Sequence, residues 1–531
     1  MYLTSSGFLL FLCVCVGLYY VIPKKTQWIL LLVASYVFYA SHGIFYPLFL
    51  LASTIFTYTT ALAIDHQTQK DKIWLKEHKE QLTREEKKAY KAAAEKTKKR
   101  YMLMGLLACL IMLGVFKYSN FVIENLNTVF GWAGISRSFD TWDLLLPMGL
   151  SFYTFQSIGY LLDVYMERGP VQKNFFRYML FVSFFPQLIQ GPISRYSDVA
   201  DSMFAEHSFE WKQIKFGCER ILWGFFKKLV IADTIAPAVR YITEDPDSYA
   251  GAWVLVGIVF YAIRIYADFS GGIDITIGAA QLFGIRLPEN FIRPYFTKNV
   301  AEFWRCWHIT MGTWFRDYLF YPLSISDGVM KLTNKCKNRF GNAVAKRVPV
   351  YLATMVTWFA TGIWHGASWN FVVWGLLNGL VLLISKELEP CYRWFHEKFP
   401  RLAATKGYAF FQILRTFLLM GCLQILDCYS DVSTTFRMYL SMFTDFHISS
   451  LAAERFLELE VSAAQYATVG AGCLIMLLVS VAGIRGSVRE QLEEKPFIVR
   501  YALMIAMLAA VILLGAYGYG YDSAQFIYNQ F

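Results

Sequence analysis

Charge is what this sequence has least of. Asp, Glu, Lys and Arg make up 17% of its 531 residues, where a soluble domain carries about 25%. Residues 1–23, 26–64, 348–385, 461–484 and 501–521 contain none at all. Soluble proteins have no use for so many uncharged runs, so a water-soluble fold is excluded. The ten cysteines show no metal-ligand spacing. Most of them, such as Cys13, Cys15, Cys109, Cys422 and Cys473, sit in apolar runs and read as small buried hydrophobes, with no disulfide framework implied. There is no internal repeat and no pair of matched, Gly-broken segments in two halves, which argues against a secondary transporter.

What remains is hydrophobic: 56% of the chain. A helix needs about 20 apolar residues to cross the hydrocarbon core, so the longer runs each have room for two spans. The first run lacks a basic n-region and a small-residue cleavage site, and apolar sequence resumes after Lys24-Lys25; it reads as a retained span rather than a signal peptide. The expectation is an all-α polytopic membrane protein with about eleven to thirteen transmembrane or re-entrant helices, multi-pass in the cell (plasma or inner) membrane.

The net charge of +10 is uneven. Residues 66–100 hold twelve Lys/Arg against six Asp/Glu. Placed between spans and half balanced by acids, this run suits a cytoplasmic loop obeying the positive-inside rule, a helical hairpin on anionic lipid headgroups, and not a nucleic-acid contact. It puts Met1 outside and Lys24-Lys25 inside. Residues 119–141, with one Arg and no Lys, fit an external loop; Arg168, Lys173 and Arg177 return the chain to the cytoplasm. The chain is expected to be a single membrane-embedded domain, 1-531. Within it, 1-64 are N-terminal spans, 66-100 the basic loop, 145-385 a core rich in Arg, Asp, His, Asn, Pro and Gly, and 386-531 C-terminal spans with an external amphipathic stretch near 428–460. Ionisable groups at membrane depth normally face a cavity or a partner, so function is sought in 145-385.

Four segments stand out there. Phe184-Phe-Pro-Gln-Leu-Ile-Gln-Gly-Pro-Ile-Ser-Arg195 is apolar and broken twice by Pro; a kinked span and a re-entrant element fit it equally. Asp268 and Asp274, six residues apart, do not share a helical face, which excludes a carboxylate dyad and favours bonds that pin neighbouring helices. The run Glu289 to Tyr295 reads as a structured turn, with Arg293 at the interface. Phe303 to Pro322, read as one helix at about 100° per residue, places Arg305, Gly312 and Arg316 on one stripe and Trp304, Trp307, Met311, Trp314, Phe315 and Tyr318 opposite, with His308 at the border. An interfacial anchoring helix explains the aromatic residues. It does not explain a histidine beside two arginines and Asp317, which suit an anionic ligand and a proton acceptor.

The fourth segment is Thr361-Gly-Ile-Trp-His-Gly-Ala-Ser-Trp-Asn370. His365 lies within 38 residues that hold no Asp, Glu, Lys or Arg. The other histidines sit in polar surroundings: His66 and His78 in the basic loop, His207, His396 and His447 in connections, and His42 at a turn. A hydrogen-bonded core histidine remains the competing reading, but the cost of an ionisable group in a membrane segment favours function. Gly362 and Gly366 leave room for backbone or ligand to approach.

These segments, together with Leu31 to Tyr39, resemble the membrane-bound O-acyltransferase superfamily, in particular the bacterial branch of alginate O-acetylation and teichoic-acid D-alanylation membrane proteins. The resemblance covers most of the chain, and length and C-terminal spans are closer to the alginate type. It implies that His365 is catalytic and His308 its partner across the acyl channel, with Trp304, Arg305, Trp307, Arg316, Asp317, Trp364 and Asn290 binding substrate and no metal. It implies a thioester donor such as acetyl-CoA or an acyl carrier, no tightly bound cofactor, and an extracytoplasmic polysaccharide acceptor reached directly or through an acyltransferase partner protein. The chain departs from the alginate-type pattern at Cys306, where those proteins carry a second arginine; this puts a donor contact there in doubt. D-alanyl transfer is the rival within enzymes, glycan export the rival from another class, and an inactive membrane scaffold a third.

Overall fold

The computed structural model describes residues 1–144 and 146–517. Leu145, at the edge of the 145-385 core, and residues 518–521 of the last apolar run lie outside the described residues. Among the described residues the secondary structure is helical, with one isolated β-bridge between Phe291 and Trp307. Among the described residues, seven helices are long and apolar enough to cross a membrane: Tyr46–Glu77, Arg84–Trp132, Ala252–Leu282, Trp369–Glu387, Lys406–Asp427, Ala463–Arg485 and Phe497–Leu514. Ser6–Val21 is apolar but shorter. The protein is an all-α, multi-pass membrane protein. Of the further segments counted from sequence toward eleven to thirteen, Ser6–Val21, Gln27–Ala40, Leu150–Tyr165 and Val348–His365 form helices of 14 to 18 residues.

The described chain divides into two compact units. The first comprises Met1–Gly217 with Ala279–Pro288. In it, residues 66–100 form a helical hairpin. Tyr46–Glu77 has 32 residues, roughly 48 Å at 1.5 Å each, well beyond the ~30 Å hydrocarbon core. Its charged half therefore extends past the apolar layer. The return helix Arg84–Leu113 starts at a capping box in which Thr83 and Glu86 satisfy each other's backbone N–H groups. Trp74 stacks on Tyr90 at 3.8 Å, and the Tyr90 hydroxyl donates to Asp71. Lys72 and Lys98 grip Glu167 and hold its carboxyl below the usual range.

Phe184 to Ser194 is buried throughout and contains no helix. It is thus an irregular internal stretch rather than a kinked span, and its backbone is served from within: Ser35 Oγ accepts from Phe185 N at 3.1 Å. Such backbone survives at membrane depth only where protein surrounds it.

The second unit holds Cys218–Gly278 and the chain from Glu289 onward. Asp268 and Asp274 pin helices together here. Lys228, fully buried, bonds Asp268 at 2.5 Å and Asp233 at 2.7 Å; Lys227 and Arg220 bond Asp274 at 2.6 and 2.9 Å. Val348–His365 and Trp369–Glu387 form a tight hairpin. A Cβ on Gly375 would lie 2.3 Å from Trp358 O, and one on Gly362 2.3 Å from Phe371 O. Glycine is needed at both because the two backbones touch.

Candidate active site

The segment Phe303 to Pro322 is not one helix. Val300–Cys306 ends, His308 takes the left-handed conformation (φ 45°, ψ 52°), and Ile309–Phe315 begins a new direction. A turn of π-helix, Arg316–Phe320, follows. The stripe inferred from uninterrupted 100° spacing is therefore broken at its most important residue. The cause is local: Ile292 N donates to Cys306 O at 2.9 Å and Ile309 N to Asn290 O at 3.0 Å. The 289–295 turn thus captures the backbone groups that a continuous helix would use itself.

Asn290, fully buried, organises the break. Its Oδ1 accepts from Thr310 N at 3.0 Å, from Thr310 Oγ1 at 2.9 Å, and from His308 Nδ1 at 3.3 Å. Because the Thr310 amide can only donate, the Asn290 atom is an oxygen, and the His308 nitrogen facing it carries the hydrogen. The neutral His308 tautomer consequently leaves Nε2 as the proton acceptor. His308 lies outside the seven long apolar helices. Burial, and then the neighbouring His365, hold it well below the usual histidine range.

His365 closes the helix Val348–His365 and is half-buried, whereas His308 is completely buried. This reverses the depth suggested by sequence, where His365 had the longer uncharged surroundings. The Trp364 indole lies beside both rings, 6.0 Å from His308 and 5.1 Å from His365 between centroids. Trp374 meets His365 edge-on at 4.7 Å, and Phe371 lies parallel to it at 6.2 Å. The space beside Gly366 is taken by the Phe371 ring, 2.1 Å from a built Cβ. The glycines thus admit neighbouring protein rather than leaving a vacancy for ligand.

A cavity of about 900 Å3 runs along this helix from Val350 to Thr361, roughly 16 Å at the helical rise. Such a volume is at the upper end of small-molecule sites. Its lining includes five cations, Lys298, Arg305, Arg316, Lys386 and Arg415, and one carboxylate, Glu389. Met311, Phe315, Trp358 and Thr361 line it too, and Phe315 contacts Trp364 at 6.4 Å. The cavity therefore leads toward the ring shared by the two histidines.

The nine residues singled out from sequence separate into three groups. Trp304, Arg305 and Arg316 line the cavity. Trp364, His308 and His365 form the cluster at its end. Asn290, Trp307 and Asp317 have supporting positions: Asn290 orients His308, Trp307 stacks on Phe303 at 5.5 Å, and Asp317 bonds Arg316 through both oxygens, at 2.8 and 3.2 Å. Cys306 is partly exposed. Sequence reading passed over Lys298, Lys386 and Arg415. Arg415 did leave a signal, being the sole Asp, Glu, Lys or Arg between 407 and 426; its Nη2 donates to Lys298 O at 2.9 Å.

The model of the MBOAT, membrane-bound O-acyltransferase family, matches residues 170–333. A protein of Azotobacter vinelandii named "Probable alginate O-acetylase AlgI" is 32% identical over 502 residues, covering 93% of this chain and 87% of its own. The chain belongs to the membrane-bound O-acyltransferase family. A peptidoglycan O-acetyltransferase of Helicobacter pylori is 33% identical over 400 residues (70% of this chain, 67% of its own). A teichoic acid D-alanyltransferase of Bacillus subtilis is 26% identical over 285 (52% and 67%). As a member of this family the protein is a membrane O-acyltransferase.

Proposed function

We propose that this enzyme transfers an acetyl group from a cytoplasmic thioester, acetyl-coenzyme A, to a hydroxyl of an extracytoplasmic polysaccharide or of a partner protein that acylates it. The observation that carries this reading is a cavity with five cations in its lining that leads to two histidines sharing one tryptophan. Multiple cations suit the phosphates of coenzyme A, and the length of the cavity suits an extended thiol arm. The alginate and peptidoglycan acetylases match more of the chain than the D-alanyltransferase does, which favours acetyl over D-alanyl.

In this mechanism His365 is the general base. It takes the proton of the acceptor hydroxyl as that oxygen attacks the thioester carbonyl. The C–S bond then breaks, and the thiolate recovers the proton from the His365 imidazolium, so no net proton is consumed. His308, neutral and with Nε2 as acceptor, does not donate to the oxyanion and instead helps position the acyl group. The aromatic wall of Trp304, Trp358, Trp364 and Trp374 keeps the thioester from water.

The test is acyl transfer from radiolabelled acetyl-coenzyme A by full-length protein in detergent, comparing wild type with His365→Ala. Label transferred or released by wild type alone supports donor and base together. Consumption by neither protein overturns acetyl-coenzyme A as the donor, and a D-alanyl carrier protein becomes the next donor to supply. Loss of a monodisperse peak in the variant points instead to a structural histidine.

A further inference from the structure

A second cavity, of about 520 Å3, shares no lining residue with the one described above. One wall is charged. Arg220 bonds Asp274 through Nε at 2.9 Å and Glu289 through its two terminal nitrogens at 2.7 and 2.5 Å. Lys227 bonds Asp274 at 2.6 Å and Ser270 at 2.8 Å. Arg293 donates to Gly483 O at 2.8 Å, and Arg489 completes the lining. Four cations thus face three carboxylates, Glu219, Asp274 and Glu289. Enclosing so many charges contributes little stability by itself, because desolvation offsets the attraction between partners.

The opposite wall is apolar. Val479, Leu492, Met504 and Met507 form it, from or beside two helices, Ala463–Arg485 and Phe497–Leu514, that bury only 17% and 6% of their apolar windows in protein. These helices therefore face lipid. Met504 and Met507, both half-buried, lie one turn apart on the inward stripe of the second helix. They are about 10 and 15 Å along from Phe497. Arg489 belongs to the connection that precedes this helix, at the level where a span meets the headgroups. The cavity thus joins charged side chains, Arg489 among them, to an apolar surface on a lipid-facing helix, the two chemistries that a phospholipid presents.

We propose that this cavity binds one glycerophospholipid, with its phosphate between Arg489 and Arg293 and an acyl chain along Met504 and Met507. Burial, and then the Arg220 guanidinium, pull Arg489 below the ordinary arginine range, so an added anion stabilises its charged form. A lipid held there joins the two peripheral helices to the ion network of Arg220, Lys227 and Asp274.

The experiment uses full-length protein washed extensively in mild detergent, with retained lipid quantified by mass spectrometry. Wild type is expected to retain phospholipid at about one per chain, while Arg489→Gln, losing a charged contact, binds roughly tenfold more weakly or worse. Met504→Trp, which fills the chain site, is expected to lose it too. Phosphatidylglycerol in mixed micelles should raise the unfolding temperature of wild type and not of either variant, and inorganic phosphate should raise neither. Equal retention by wild type and both variants means ordinary boundary lipid and overturns the proposal. An equal shift from inorganic phosphate means an anion site without a chain and overturns it as well. If Met504→Trp fails to fold, the partly exposed Arg489→Gln carries the comparison alone.

Discussion

Asn290 Oδ1 accepts a hydrogen bond from His308 Nδ1 while also holding both donors of Thr310. One amide oxygen therefore shapes the chain break and selects the histidine tautomer. Asn290→Ala is expected to lower kcat by about tenfold or more while leaving KM for the donor near wild type, because it disorders the ring without touching the cavity. Unpairing the buried Thr310 groups should also cost about 1–3 kcal/mol of stability each. Steady-state kinetics with a melting curve measure both, and a change confined to KM would remove Asn290 from the positioning role.

The buried, neutral state of His308 has a consequence for acid stability. Its folded value lies below the ordinary one, so between the unfolded value, about 6.5, and the lowered folded value the unfolded chain binds the extra proton. Stability is then level above about pH 6.5 and falls as pH drops below it. His308→Gln should flatten that limb. A melting temperature series from pH 7.5 to about pH 5 that is identical in both proteins would refute the assignment.

The cations of the larger cavity should act on donor binding rather than on chemistry. Arg415→Ala and Lys386→Ala are each expected to raise KM for acetyl-coenzyme A about tenfold, with kcat changed far less. The wild-type KM should rise with salt and that of the double variant should rise less, since fewer charges remain to be screened. A pure kcat defect in either variant would place that cation elsewhere in the reaction.

Gly375 tests the helical hairpin. A Cβ there would sit 2.3 Å from Trp358 O, backbone that cannot swing aside, so Gly375→Leu should destabilise by about 1–3 kcal/mol or more and lower activity by tilting His365. Gly470, with nothing within 4 Å of a built Cβ, is the control: Gly470→Ala should melt like wild type. Equal melting of Gly375→Leu and wild type would mean the two helices are not in backbone contact.

Composition alone determined the solvent and the fold class. Long runs without charge have one economical environment, and lipid admits few backbone solutions, so multiple helices followed from the absence of Asp, Glu, Lys and Arg. The two histidine motifs, Asp268, Asp274 and the basic hairpin were legible for the same reason: each is a polar exception in apolar sequence. Tertiary structure decided what those exceptions touch. The break at His308 was invisible to a helical wheel because its cause, Asn290, comes from a turn earlier in the chain. Arg415 reaches the cavity from a helix about 110 residues beyond Arg305, and Lys227 pairs with Asp274 and Lys228 with Asp268 across 47 and 40 residues of chain. Periodicity reports which residues share a face of one helix; it carries no information about which other helix supplies the partner, and that pairing sets tautomer, burial and charge at the site.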